Sequence, residues 1–236
     1  MDKKISAIII YNQDVNKRLF EIAKKSVNWC SETVFVIGKI GNFSDWRNQG
    51  LKKAKGDWVL YLDTDEEITN SLKEEILQSI DSDQSAACYA IPRRNMIFGK
   101  EFKYSGQYPD YQKRLFRRLA IKKWTGAVHE EPVFTGGMGH LNNPMIHRKE
   151  MTISDMLEKT NKWSEYEADL MIKANHPPMN ILRFFSAGFR EFVLRFIKER
   201  CFLDGEKGII YGMYQIYSRL ISYSKLWEKQ QSTIHT

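Results

Sequence analysis

The chain has 236 residues, of which 42% are hydrophobic and 28% are charged, a balance typical of a folded protein and not of a disordered tail. This length suffices for one sizeable α/β domain with an appendage. The formal net charge is +7, but the sequence carries no RNA-binding signature, zinc-finger spacing or basic helix with heptads, so we expect no nucleic-acid partner.

The first ninety or so residues alternate between short apolar, β-branched runs and amphipathic stretches. Apolar runs such as ISAIIIY are typical of strands buried on both faces. They predict strands over 5–11, 33–37, 57–62 and 86–92. The intervening stretches predict helices over 16–28, 46–54 and 72–79. This alternation predicts an α/β fold with a parallel, doubly wound sheet and helices on both faces.

The pattern changes after the fourth predicted strand. Residues 100–147 are irregular, with glycine, proline and aromatic residues interleaved. Amphipathic patterns then predict helices over 154–174, 180–200 and 206–227. We therefore expect a nucleotide-binding domain over 1–150 and a helical C-terminal region over 151–236.

Three cysteines, Cys30, Cys88 and Cys201, lie far apart without a CxxC pair. This predicts neither a disulfide framework nor a structural zinc site, and it fits a reducing cytosol. The first residues lack the apolar stretch of a signal peptide, and no run of eighteen apolar residues occurs, so we expect neither a secretion signal nor a spanning helix.

Acidic side chains follow the predicted strand 57–62. Asp63 and Asp65 are one residue apart, so they point to the same side if the chain stays extended. Ligands of doubly wound sheets lie beyond the carboxyl ends of the strands, and paired carboxylates suit Mg²⁺ or Mn²⁺ bridging a diphosphate. The alternative is a polar turn with acidic residues at the start of a helix.

A longer string around this pair resembles the family 2 glycosyltransferases, which have a GT-A fold. Their hallmark is an N-x-G/A string followed by A-x-G-[DE]-[WY]-[VI]-L-x-L-D-x-D-E. The matching positions are Asn48, Gly50, Ala54, Gly56, Leu60, Leu62, Asp63, Asp65 and Glu66. The strings YPDYQKRLFR from Tyr108 and WTGAVHE from Trp124, with FLDG from Phe202, are similar to the branch related to lipopolysaccharide-core glucosyltransferases.

The resemblance implies roles for individual residues. Asp63 and Asp65 would hold the metal and the nucleoside diphosphate, with Asp65 as the direct metal ligand. His129 and Glu130 would lie near the acceptor, where Glu130 or its neighbour Glu131 would act as the base. Residues implied at the donor, either as matches to family motifs or as arginines that could clamp phosphates, are Tyr11, Asn12, Asp14, Asn48, Arg114, Arg117 and Arg118. For the arginines, a solvated basic loop is the alternative.

One departure from the family pattern concerns the donor base. The family follows its second strand with an acidic D-x-G-S-x-D segment that reads the base, and then with a further helix and strand. Here the strand runs into Gly38-Lys39-Ile40-Gly41, so the acid is replaced and one βα unit is missing. The alternative function is therefore a catalytically impaired member that binds a nucleotide sugar or serves as a scaffold.

The C-terminal region is rich in aromatic and basic residues. Phenylalanines between 181 and 197 and tyrosines between 211 and 223 are interspersed with arginine and lysine. These helices either pack on the core or on a second subunit, or they lie on a membrane surface. The resemblance favours the membrane, because the branch acts on lipid-linked acceptors.

The resemblance thus implies an inverting, metal-dependent hexosyltransferase. We expect a UDP-sugar donor, a lipopolysaccharide-like or lipid-linked glycan acceptor, and a peripheral location on the cytoplasmic face of the plasma membrane. A homo-oligomer is compatible with the sequence.

Overall fold

The computed structural model describes residues 4–39, 41–82, 86–126 and 130–234. The chain divides into two units. Unit 1 comprises Met1–Asn95 and Pro109–Arg148, and unit 2 comprises Met96–Tyr108 and Lys149–Thr236. The segment Met96–Tyr108, which lies inside the predicted first domain, thus groups with the C-terminal helices.

Unit 1 is built on a mixed sheet. Its helices are α1 (Lys17–Ser26), α2 (Phe43–Lys53) and α3 (Asn70–Ser82). Its first strands are β1 (Ile5–Tyr11), β2 (Glu32–Ile37), β3 (Trp58–Asp63), β4 (Glu66–Glu67) and β5 (Ala86–Ile97), whose last two residues belong to unit 2. The later strands are β7 (Asp110–Arg117), β8 (Ile121–Thr125), β9 (Glu131–Phe134), β10 (Gly137–His140) and β11 (Met145–Lys149). A short β6 (Lys100–Glu101) pairs with the end of β5 within unit 2.

The strand order is β2-β1-β3-β7-β5-β11-β4, with β8 and β9 forming a separate pair. β1 runs parallel to β2 and β3, whereas β7 runs antiparallel to β3 and β5, and β4 antiparallel to β11. The prediction of a wholly parallel sheet is therefore wrong. β1, β2 and β3 are joined by helices and pair in parallel, whereas β7 pairs antiparallel with β3 and β5, and β10 pairs parallel with β5.

Both faces of this sheet are covered, because side chains alternate along each strand. Ile5, Ala7 and Ile9 of β1 pack with apolar residues of α1 and α3 on one face. Ile8 and Ile10 pack on the other face, with α2 and β8. The predicted α/β class, with GT-A-type helices on both faces and a helical C-terminal region, is confirmed.

The segment after β2 is the one in which the sequence predicts that a βα unit is missing. β2 leads through α2 directly into β3, and β2 lies at the edge of the sheet. Gly50 of the hallmark string allows this close packing: a β-carbon there would lie 2.5 Å from Ile8 Cγ2, so α2 sits directly on β1.

Unit 2 consists mainly of helices. They are α4 (Ile153–Lys173), α5 (Ile181–Phe192) continued by a π-helix (Val193–Lys198), a 3₁₀ turn (Cys201–Asp204) and α6 (Gly205–Ile234). Asn180 caps α5, and Thr152 forms a capping box at the start of α4. Among the described residues, no helix has the length and apolar character needed to cross a membrane.

Asp204 ties Met96–Tyr108 to these helices. Its buried carboxylate accepts hydrogen bonds from the backbone N–H groups of Lys103 (3.0 Å) and Tyr104 (3.1 Å) and from Ser105 Oγ (3.0 Å). Phe102, fully buried, packs against Tyr211 of α6. The FLDG string is therefore a structural anchor within unit 2.

Candidate active site

The candidate site lies where β3 ends. The apolar strand β3 delivers Asp63 there, and the turn into β4 carries Asp65. Beside them is a cleft of about 350 Å³. Its lining includes Arg47, Asp63, Arg93, Lys113, Arg114, Trp124, Glu130 and Glu131.

Asp63 is held by two arginines. Arg47, from α2, reaches its Oδ1 at 3.3 Å, and the buried Arg114, from β7, donates to its Oδ2. Burial alone would raise the pKa of Asp63, but the attraction of Arg114 and Arg47 outweighs burial and holds this pKa well below its usual range. Asp63 is therefore ionised throughout the physiological range.

Glu66 and Asp110 extend this charge network. Arg114 also donates to Glu66 Oε1 at 2.6 Å, and Glu66 is itself almost fully buried. Arg93 lies 3.5 Å from the same oxygen and donates to Asp110 at 2.6 Å. Carboxylates and guanidinium groups thus alternate from Asp63 to Asp110. This pairing offsets the free-energy cost of removing the charged groups from water.

Asp65 is oriented differently. Its side chain is 40% exposed, and its Oδ2 lies 3.3 Å from Nε2 of His147. His147 is brought there by the pairing of β11 with β4, which places it opposite Glu66. The structure therefore adds to the site a histidine that the sequence pattern did not indicate.

The hydrogen bonds of Asn95 determine which ring nitrogen of His147 carries a proton. Asn95 donates through Nδ2 to Asp110 (3.3 Å), so its Oδ1 faces Nδ1 of His147 at 2.6 Å and must accept. Nδ1 therefore carries the proton, and in the neutral ring Nε2 has a free lone pair directed at a carboxylate. Nε2 of His147 and Oδ2 of Asp65 can therefore both act as ligands of one metal ion.

The Asp65–His147 pair fits a divalent ion. Two ligand atoms on adjacent octahedral positions of Mg²⁺ or Mn²⁺ lie roughly 3 Å apart. The support of the second ring nitrogen by Asn95 is the arrangement that orients metal-binding histidines. Within the described ranges, no group of three or more His, Cys, Asp or Glu side chains is arranged around a common metal position. Further ligands would therefore come from water and phosphate oxygens, which Mg²⁺ commonly retains.

The acceptor-side candidates lie on the rim of the cleft. Glu130 is half-buried and lines the cleft, whereas Glu131 is exposed and pairs with Lys113 at 2.8 Å. The predicted His129 lies outside the described residues. Of the two carboxylates, Glu130 is the one with no ion pair shown among the described residues.

Other predicted donor residues occupy separate positions. Tyr11 ends β1 and packs against Phe20 (4.9 Å), and Asn12 and Asp14 follow it as exposed residues. Asn48 is used structurally, because its amide holds both the backbone N–H (2.8 Å) and carbonyl (2.9 Å) of Trp124.

The structure does not bring Arg117 to the site. Arg117 lies opposite Trp58 at the start of β3, stacks on that ring at 5.1 Å and donates to the carbonyl of Ala86. Five residues of strand, roughly 16 Å, separate Trp58 from Asp63. Arg118 is likewise engaged at that end, where it donates to the carbonyl of Gly56.

In the family pattern, an acidic residue that contacts the donor base follows the second strand. In this chain an aromatic ring occupies that position. A β-carbon on Gly38 would lie 2.7 to 2.8 Å from the ring of Trp46, so no acidic side chain fits there without movement of that ring. Trp46 in turn packs edge-on against Phe43, which is 49% exposed. An aromatic pair therefore stands at the end of β2 where the family pattern has a carboxylate.

The chain is similar to known proteins in both sequence and structure. An uncharacterized glycosyltransferase of Rickettsia bellii is 26% identical over 188 residues, covering 74% of this chain and 63% of the relative. The chain thus spans less than two thirds of that relative's length. Among solved structures, the mannosyltransferase PcManGT of Pyrobaculum calidifontis in complex with GDP-Man and Mn²⁺ is similar with a TM-score of 0.49 and 9% identity, over 97% of this chain and 88% of that one.

A second structure, S. aureus TarS in complex with UDP-GlcNAc, is similar with a TM-score of 0.42 and 12% identity, over 98% of this chain and 92% of that one. The family model for glycosyl transferase family 2 matches residues 3–135, which is more than half of the chain and includes β1 to β3, the acidic turn and both rim carboxylates. The chain therefore belongs to glycosyl transferase family 2.

Proposed function

We propose that this chain is an inverting, metal-dependent glycosyltransferase that moves a hexose from a nucleotide sugar to a glycan acceptor. The observation that carries the proposal is the juxtaposition at the end of β3. An Asp65–His147 pair suited to a divalent ion stands next to an Asp63 that is flanked by two arginines. Family membership supplies the reaction class, and this cluster supplies the means to bind a diphosphate.

Asp65 and His147 would hold Mg²⁺ or Mn²⁺, with Asp63 as the other carboxylate beside it. The ion would supply Lewis-acid stabilisation of the charge that develops on the leaving diphosphate. Arg47 and Arg114 stand behind Asp63, and their Nε–H groups find no acceptor in the described part of the chain. Both guanidinium groups line the cleft beside Asp63, and the ion held by Asp65 and His147 would add the positive charge that a diphosphate requires.

The acceptor reaction would proceed by direct displacement. Glu130 would take the proton of an acceptor hydroxyl while that oxygen forms a bond to the anomeric carbon and the nucleoside diphosphate leaves with the bonding electron pair. Glu131 is the second candidate, but its ion pair with Lys113 holds it on the exposed side of the rim. His129 remains a candidate neighbour of the acceptor.

The finer assignments rest on the resemblance of the segments from Tyr108 and Trp124. They support a lipopolysaccharide-like or lipid-linked acceptor. The same resemblance supports a peripheral location on the cytoplasmic face of the plasma membrane. The wider resemblance to the family supports a UDP-sugar donor, with Tyr11, Asn12 and Asp14 near the base.

A second candidate function is a catalytically impaired member that binds a nucleotide sugar. The observation that favours it is the Trp46 ring against Gly38, since it leaves no space for the carboxylate with which the family reads the base. The two candidates differ in turnover and not in diphosphate binding.

A thermal-shift panel of UDP, GDP, CDP and ADP, with and without Mn²⁺, tests the proposal. A ligand at 100 times its Kd stabilises the folded state by about 2.7 kcal/mol, which corresponds to roughly 5–10 °C for a chain of this size. We expect such a shift with UDP only when Mn²⁺ is present. The absence of any shift with all four diphosphates, with or without Mn²⁺, would contradict the proposal.

Hydrolysis or transfer from the matching nucleotide sugar then separates the two candidates. Release of the nucleoside diphosphate from a UDP-sugar supports the enzyme. Tight binding with no release over hours supports the impaired member.

A further inference from the structure

Helix α5 and the π-helix after it expose several large apolar side chains. Six of them, here called the α5 stripe, are between 42% and 76% exposed. They are Ile181, Leu182, Phe185, Phe189, Phe192 and Ile197. An exposed apolar surface of this kind marks an interaction site.

The α5 stripe lies on one side of the helix. Ile181, Phe185 and Phe189 recur every four residues, and the residues on the opposite side, Ala187 and Glu191, are buried. In an α-helix, four-residue spacing drifts about 40° with each step. The wider turns of the π-helix rotate less per residue, which offsets this drift and keeps Ile197 in line with the stripe.

The charges around the α5 stripe have one sign. Between residues 180 and 203, all of which are described, the exposed charged residues are Arg183, Arg190, Lys198 and Arg200. The two acidic residues of this segment, Glu191 and Glu199, are both paired with Arg195, at 2.7 and 2.8 Å. The stripe is therefore flanked by cations whose charge no exposed acid in the segment offsets.

We propose that the α5 stripe is the surface by which this protein lies on an anionic lipid bilayer. The apolar side chains would enter the boundary between headgroups and acyl chains, and the flanking cations would contact lipid phosphates. The inference takes the membrane location from the proposed function and assigns it to one helix face.

The charge pattern argues against a second copy of the chain as the occupant. A two-fold dimer presents the same surface from both subunits, so it would bring two sets of cations together around the apolar contact. An anionic bilayer offers both the apolar depth and the opposite charge.

The aromatic residues of α6 do not all share this role. Tyr211 is buried against Phe102, and the hydroxyl of Tyr214 lies 2.7 Å from that of Thr160 on α4. They belong to the interior of unit 2. Other apolar residues of α6 are 42–54% exposed, namely Ile209, Ile210, Met213 and Trp227, and Trp227 lines one pocket with Ile181 of the stripe. The proposal assigns the bilayer contact to α5 and its π-helix, where the exposure reaches 76%.

Co-sedimentation of the full chain with vesicles tests the inference. We expect binding to phosphatidylglycerol-containing vesicles, much weaker binding to pure phosphatidylcholine vesicles, and only partial loss at high salt. The assay needs neither donor nor metal, so an inactive transferase would still bind. Absence of binding to anionic vesicles at low salt overturns the proposal.

Two variants and one matched control locate the surface. Phe185→Ser with Phe189→Ser should lower the partition coefficient at least tenfold at high salt, and Arg183→Glu with Arg190→Glu at least tenfold at low salt. The control, Ile153→Ser with Leu170→Ser, removes two apolar side chains of α4 that are 45% and 43% exposed, and should leave binding within twofold.

Other results would show that the α5 stripe does not contact lipid. Equal loss of binding in the control overturns the assignment to α5. If the phenylalanine variant melts far below the parent, or converts a dimer to a monomer with vesicle binding unchanged, the stripe is a protein contact and the proposal is wrong. The arginine variant remains informative in either case, because its substitutions are exposed.

Discussion

Unit 1 buries charge, whereas unit 2 exposes apolar surface. In unit 1, Arg114 and Glu66 are at most 3% exposed and belong to a network that runs from Asp63 to Asp110. In unit 2, Phe185 and Phe189 are more than two thirds exposed. Folding alone favours neither arrangement, because buried ions lose hydration and exposed rings order water. The proposed diphosphate site rests on the first feature, and the proposed bilayer contact of α5 rests on the second.

The largest effect is expected on turnover at the rim of the cleft. If Glu130 is the acceptor-side base, Glu130→Gln should lower kcat by about 10²–10⁴-fold with little change in nucleoside diphosphate affinity. Glu131→Gln is the control, since its carboxylate is tied to Lys113. A larger loss in the Glu131 variant would reverse the two roles.

Next comes the stability of the buried network. Arg114→Met leaves Asp63 and Glu66 without their shared partner, so it should lower the free energy of unfolding by about 3–5 kcal/mol. Lys113→Met, one residue away, breaks only a pair with an exposed Glu131 and should cost less than about 1 kcal/mol. Urea unfolding measures both, and equal costs would show that the network contributes nothing beyond a surface pair.

A third comparison concerns two phenylalanines of unit 2. Phe102 is fully buried, so Phe102→Ala should destabilise the protein by about 3–5 kcal/mol. Phe189 is 67% exposed, and Phe189→Ala should stay within about 0.5 kcal/mol. A large loss for Phe189 in the absence of lipid would mean that its ring is covered by protein.

The smallest expected effect is on the pH dependence of the free energy of unfolding. Burial tends to raise the pKa of Asp110, but Arg93 and the hydrogen bonds around it outweigh burial and lower that pKa. The stability that this depressed pKa contributes is present above the unfolded value of about 3.9 and is lost as the pH falls through the folded value. Asp110→Asn should therefore be less stable at pH 7 and show a shallower decline below pH 4. Parallel curves for the two proteins would contradict this.

Sequence patterns predicted the extents of β1, β2 and β3 well, because all three are apolar runs. β1 and β3 are buried on both faces as expected. The expectation of burial is wrong for β2, an edge strand on which Phe35 and Ile37 are 36% and 44% exposed. Sequence patterns failed for β5 beyond Pro92. Arg93 and Asn95 have the composition of a strand end, yet the strand continues and these side chains pair with Asp110 in the interior. The partners lie on β7, and no local pattern shows them.

The candidate site was predicted only in part for the same reason. Asp63 and Asp65 are adjacent in sequence to an obvious strand, whereas His147 reaches Asp65 only through the pairing of β11 with β4. Arg114 and Arg117 share a strand, but three residues of separation place them on opposite faces and different ends. The register of β7 against β3 determines which arginine contacts Asp63, and this register cannot be read from the sequence.

The most direct test of the account is pulsed electron paramagnetic resonance of Mn²⁺ bound in the presence of UDP. We expect one Mn²⁺ per chain with modulation from a directly bound imidazole nitrogen. His147→Ala should remove that nitrogen signal, and Asp65→Ala should remove Mn²⁺ binding. The Asp65 side chain is 40% exposed, so the melting temperature of the ligand-free Asp65 variant should be little changed. Mn²⁺ binding that is absent in the parent protein, or unaltered by both substitutions, would contradict the assignment of the donor site to the end of β3.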